Sequence, residues 1–141
     1  MVFDVTVNIW AVLVSAVASM VIGSIWYGPL FGKTFMKAMG MEHMSEEKRS
    51  EMKKMMMPTY IKQFIASLVM FYVFAWLMGA LGAKSPMNGI QAAFWVWLGF
   101  IVPVKFGDAI WGGKMALFWL GVGNMLLTLA AAGAIIGVMM K

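Results

Sequence analysis

The sequence predicts an all-α integral membrane protein built as a four-helix bundle, and three observations carry that prediction. Charged residues are absent from four long stretches, 5–32, 63–83, 85–104 and 115–140. The chain is 62% hydrophobic and only 12% charged, whereas soluble domains run at about half apolar and about a quarter charged. The remaining charges are crowded into the gaps between the four stretches. About 20 residues of apolar helix cross a hydrocarbon core roughly 30 Å thick, and all four stretches meet that length. One such run could be a buried core helix in water. Four of them in 141 residues leave almost no polar surface for solvent.

The whole chain, 1–141, is expected to form one transmembrane domain, with spans at about 6–28, 60–82, 87–106 and 115–139. Met1, Val2, Phe3 and Asp4 precede the first span; this start is acidic where a cleavable signal carries positive charge, so the first helix is expected to stay. The first span is followed by a basic loop, 33–58, that leads to Lys62. Seven of the eleven basic residues (Lys33, Lys37, Lys48, Arg49, Lys53, Lys54 and Lys62) lie between the first two spans. Lys105 and Lys114 stand between the third and fourth spans, leaving Lys84 and Lys141 for the other side. The positive-inside rule then places both basic connections in the cytoplasm and both termini outside, in a cell (inner or plasma) membrane.

Within the first connection, Ser45–Met57 reads as a short cytoplasmic surface helix. Ser45 can cap it, and Glu46 and Glu47 in its first turn suit the helix dipole. Pro58 fits the first turn of the second span. The spacer Lys84–Pro86 is short enough to make spans two and three an antiparallel hairpin. Span three is confined by Pro86 and Pro103. Either its helix continues through Pro103, with Gly99 supplying the freed carbonyl, or it ends there and residues 103–113 form a partly immersed loop.

Small residues recur at four-residue spacing: Ala11, Ser15, Ser19 and Gly23 on span one, Ala75 and Gly79 on span two, Gly133 and Gly137 on span four. Because lipid provides no hydrophobic drive between helices, such stripes act by letting backbones approach. They serve contacts within one bundle or a homo-oligomer interface, and a dimer or higher oligomer is expected beside the lipid bilayer as partner. Nucleic acid is not expected, since the net charge of +5 is explained by topology.

Chemistry-bearing residues are few. With no cysteine, disulfides and thiolate sites are excluded. Met36, Met39, Met41, His43 and Met44 place soft sulfurs and an imidazole close together, a pattern suited to Cu(I). Methionine is frequent throughout the chain, however, and these side chains equally suit lipid or packing contacts, so no metal or other cofactor is expected. Asn124 and Thr128 are the most interior polar pair on one helix face, and no ionisable residue lies deep in a span, which disfavours proton-coupled transport. Lys105 and Asp108 can pair if their segment is helical. Trp111 and Lys114 close that turn, while Trp26, Tyr27 and Lys33 close span one at the aromatic belt and headgroups. No catalytic constellation is present, so an enzyme is not expected.

The segment Gly23-Ser-Ile-Trp26-Tyr27-Gly28-Pro29-Leu-Phe31-Gly32-Lys33, together with Trp97-Leu98-Gly99-Phe100 and the turn Trp111-Gly-Gly-Lys114, resembles the small prokaryotic membrane proteins grouped as domain of unknown function 1761. The resemblance implies a compact four-span membrane protein over nearly the whole chain and implies no reaction or substrate. The expected role is therefore a non-catalytic structural, regulatory or accessory component that self-associates. The competing expectations are an oligomeric passive pore or small-solute transporter, favoured if a water-filled cavity reaches Asn124, and a basic, Met-rich loop binding Cu(I) or anionic headgroups. A topology reporter fused after Lys141 should score as non-cytoplasmic, and a cytoplasmic signal would overturn the predicted orientation.

Overall fold

The computed structural model describes residues 5–38 and 45–139. Its helices are α1 (Ile9–Ile25), α2 (Gly32–Ala38), α3 (Glu46–Leu81), α4 (Pro86–Val96), α5 (Val102–Gly112) and α6 (Met115–Met139), with π-helical turns at Trp26–Leu30 and Trp97–Ile101. Four segments are long and apolar enough to cross a membrane: Ile9–Leu30, Met56–Leu81, Pro86–Gly112 and Met115–Met139. The protein is membrane-embedded and, among the described residues, free of β-strands.

Local chemistry sets the helix ends. Asn8 accepts a hydrogen bond from the backbone N–H of Trp10 at 3.0 Å and so caps α1. Its amide also donates to the Met139 carbonyl at 3.0 Å, fastening the start of α1 to the end of α6. Ser45 caps α3 as its sequence position predicts, accepting from the Lys48 N–H. At the other end Gly82 takes a left-handed conformation, φ 73°, that lets the chain turn and Ala83 N–H return to the Met78 carbonyl.

The separate surface helix expected over Ser45–Met57 is corrected. Those residues are the first turns of one continuous 36-residue α3, with Pro58 inside it. Proline removes a single i→i−4 bond, and the helix-forming Glu, Lys and Met residues before it continue the same helix. The described parts of the 33–58 connection are thus helical, either in α2 or in α3.

Span three resolves in favour of continuation. The chain stays helical past Pro103 to Gly112, so residues 103–113 are not an irregular re-entrant loop. The π turn just before Pro103 widens the helix, and the Val102 N–H reaches the Trp97 carbonyl five residues back. Span one ends in the same way, with Pro29 inside its π turn and Phe31 N–H bonded to the Trp26 carbonyl at 2.9 Å.

Packing is organised around α6. Its closest neighbour is α4, then α1, and α3 lies chiefly against α1. Helices α3 and α4 are joined by a short turn but are not a closely packed pair. The α4–α6 contact is backbone on backbone. A Cβ built on Gly89 would run into the Gly133 carbonyl, one on Gly133 into the Gly89 carbonyl, and one on Gly137 into the Ser85 carbonyl. The stripe at Gly133 and Gly137 is therefore used inside the chain's own fold, as are Ala11, Ser15 and Ala75, all buried. Gly23 is half-buried with open space around its Cβ position, so the stripe on α1 does not end in a tight contact.

The main core occupies one half of the membrane-spanning region. Ala11, Val12 and Ala16 of α1 meet Phe71, Phe74, Ala75 and Met78 of α3, Ala93 of α4, and Leu129, Ala132 and Ile136 of α6. All of these lie toward the Lys84 side. A smaller cluster, Ala109, Phe118 and Val122, joins α5 to α6 on the other side. Replacing Gly133 by Leu should separate α4 from α6 and lower stability by about 1–3 kcal/mol or more, because side-chain volume would have to displace backbone. The Gly121→Ala control has no neighbour within 4 Å of its Cβ and should be nearly neutral. Thermal unfolding in detergent measures both.

Candidate functional site: a polar vestibule in the membrane

On the side opposite the main core, α1, α3, α5 and α6 diverge around a cavity of about 460 Å³. Helix α1 contributes Ser19, Met20, Gly23 and Ser24, and its π turn adds Tyr27 and Gly28. From α3 come Tyr60, Gln63, Ser67 and Met70; from α6 come Gly121, Asn124, Met125 and Thr128; α5 supplies Lys105. Hydroxyl and amide groups are abundant for a surface at membrane depth. A volume of this size has room for about fifteen waters at roughly 30 Å³ each, or for one small organic molecule.

The cavity has a floor. Ser19, Ser67 and Thr128 stand near the midpoints of the spans Ile9–Leu30, Met56–Leu81 and Met115–Met139, so three hydroxyls meet at about the same depth. Ser19 donates to the Ala16 carbonyl at 2.6 Å and lies 3.5 Å from the Ser67 hydroxyl. Beyond this level the packed core closes the route. At the floor, Thr128 Oγ1 is buried without a hydrogen-bond partner among the described residues, and so is Asn124 Oδ1 one turn nearer the mouth. Ser15 Oγ, one turn past Ser19 inside the packed half, is likewise unpartnered. An unpaired buried oxygen costs about 1–3 kcal/mol, so these atoms mark places where a donor would be stabilised.

Two tryptophans hold the walls. The Trp26 indole N–H donates to the Leu120 carbonyl at 3.0 Å, and the Trp97 indole N–H to the Val122 carbonyl at 2.7 Å. Each begins a π turn, and the two indoles approach α6 from α1 and from the third span. Gly123 makes room for the first of them, since a Cβ there would lie 2.7 Å from Trp26 Cζ2. The ring of Phe31 packs on Trp26 with centroids 4.5 Å apart, and Phe35 meets Tyr27 edge-on at 4.9 Å. The aromatic segment that closes span one thereby orients Tyr27 toward the cavity.

Of the sequence-predicted residues, the cavity unites Tyr27, Lys105, Asn124 and Thr128, while Trp26 acts through α6. Lys105 also borders a second cavity of about 240 Å³ with Asp108 and Lys114. Lys105 and Asp108 share a helix, but no ion pair joins them. Lys33 is exposed on α2, and Trp111 is 92% exposed at the end of α5, so neither belongs to the site. Met36 is half-buried on α2, whereas Met39, Met41, His43 and Met44 of the Cu(I) pattern lie outside the described residues. Ser19, Ser24, Gln63 and Ser67 are polar residues of apolar spans that sequence reasoning did not assemble into a site. The available signal was their common depth, measured inward from the basic connections. Tyr60 and Gly121 were missed, and Trp97 was noticed only as part of a pattern.

The absence of native cysteine makes the vestibule directly testable. Cysteines placed singly at Ser24 and Gln63 should be labelled rapidly by a membrane-impermeant thiol reagent added on the side of the basic connections. A cysteine at Ile136, fully buried in the packed half, should stay unlabelled. Equal protection at all three positions would show that water does not enter.

No curated protein and no solved structure matches the chain. A family model described as protein of unknown function (DUF1761) matches residues 10–137, from the second residue of α1 almost to the end of α6. With nearly every element of the fold inside that match, the chain belongs to the DUF1761 family.

Proposed function

We propose that this protein is a facilitator of small polar solutes, which enter the vestibule from the side of the basic connections. The single observation that carries this reading is the asymmetry between the two halves of the membrane-spanning region. One half is packed with Phe71, Met78, Leu129 and Ile136, and the other encloses about 460 Å³ lined with hydroxyls and amides. A purely structural four-span protein gains nothing from unpartnered Asn124 and Thr128 oxygens at membrane depth, because each is costly unless something satisfies it. By the positive-inside rule the mouth is cytoplasmic. The small-residue stripes support contacts within the chain, so they provide no separate argument for self-association.

Release on the far side requires the packed half to part. The π turns at Trp26–Leu30 and Trp97–Ile101 are the local weak points at which α1 and the third span can bend relative to α6. Reconstituted proteoliposomes should swell faster than protein-free ones when glycerol or urea is supplied outside. Gly121→Phe directs a ring into the cavity from a position with open space around its Cβ, and should return swelling to the protein-free rate while leaving thermal stability close to wild type. Wild-type vesicles that swell no faster than empty ones would overturn the reading.

A further inference from the structure

We infer that the vestibule selects a small monoanion, a carboxylate in the simplest case, that also carries an O–H or N–H donor. This inference rests on the solute reading above and assigns the chemical class. Its basis is the order of groups along the cavity. Among the described residues, Lys105 is the only formally charged one in the lining. It lies between two fixed levels of α6. The Trp97 indole meets the Val122 carbonyl on one side of it, and Ala109 packs in one cluster with Phe118 on the other. Lys105 therefore stands near Gly121, at the mouth. Its nearest acidic neighbour in sequence, Asp108, borders the second cavity and does not pair with it, so among the described residues nothing neutralises the ammonium charge.

Going inward, unpartnered oxygens are added to the lining. Asn124 is three residues of α6 deeper than Gly121, about 4.5 Å, and Thr128 is four more, about 6 Å. Asn124 Oδ1 can only accept a hydrogen bond, and it has no donor. Thr128, only 4% exposed, presents a second unpartnered oxygen at the floor. The Ser24 hydroxyl already donates to the Met20 carbonyl, which leaves its oxygen as an acceptor in the lining. A ligand that satisfies both ends places its anionic group on Lys105 and a hydrogen-bond donor about 5–10 Å deeper. A cation would meet acceptors inside but a like charge at the entrance. A neutral polyol would use the floor and leave Lys105 unused.

The test is calorimetric titration of the full-length protein in lipid nanodiscs with four probes: lactate, propionate, glycerol and ethanolammonium. Lactate should bind about tenfold or more tightly than propionate, which lacks the hydroxyl, and than glycerol, which lacks the charge. Lys105→Gln, at an exposed position, should weaken lactate by about tenfold and leave glycerol unchanged. Asn124→Leu should weaken both lactate and glycerol and leave propionate unchanged, with circular dichroism confirming that both variants remain folded. Lactate binding no better than glycerol, insensitivity of lactate to Lys105→Gln, or preference for ethanolammonium would each overturn the inference. Binding of none of the four would overturn it as well. In each case glycerol or urea swelling of proteoliposomes would show independently whether the solute reading survives.

Discussion

The close approach of α4 to α6 is the constraint on which the rest of the structure depends. Gly89 and Gly133 bring two backbones into direct contact, and Gly137 does the same with Ser85. In lipid no hydrophobic force draws helices together, so proximity, dispersion and polar contacts must do so. Once α4 is fixed along α6, the third span arrives at its π turn with Trp97 facing the Val122 carbonyl. Span one is fixed against the other flank by Asn8 at one end and Trp26 near the other. Helix α3 then packs mainly on α1, and the helices separate where no such fastening exists. The vestibule is what this arrangement leaves open.

Much of this architecture is legible in the residues. The four charge-free stretches define the spans because an unpaired charge in hydrocarbon is expensive, and that cost acts residue by residue. Capping by Ser45 follows from local chemistry in the same way. The less legible parts depend on competition between neighbours. Pro58 looks like a helix start, yet the favourable turns before it outweigh one lost hydrogen bond. Pro103 looks like a stop, yet a π turn absorbs it, and that turn is stabilised by an indole contact to a helix far along the chain. The cavity was the least accessible feature. Ser19, Ser67 and Thr128 come from three helices, and only the registers between those helices put them at one depth.

The two tryptophans show how a membrane protein can use carbonyls that are already engaged. The Leu120 and Val122 oxygens lie within the continuous helix α6, and a carbonyl has a second lone pair to offer. Reading those oxygens from outside requires a donor on a rigid arm and a helix surface free of side-chain bulk. The indole provides the arm, and Gly123 provides the clear surface beneath Trp26. This is polar adhesion between helices that uses no charge. Elsewhere on α6, Gly133 and Gly137 serve the backbone approach of α4, where bulkier residues would hold the neighbour at side-chain distance.

Helix α3 is 36 residues long, or about 54 Å at 1.5 Å per residue, while a hydrocarbon core is roughly 30 Å thick. Its apolar part begins only at Met56. The turns from Glu46 onward therefore stand about 15 Å clear of that part as a charged mast. The mast is continuous with the stretch that bears Tyr60, Gln63 and Ser67, three of the groups lining the cavity. The same helix that closes one side of the cavity thus carries its charged turns, without a break, beyond the apolar part.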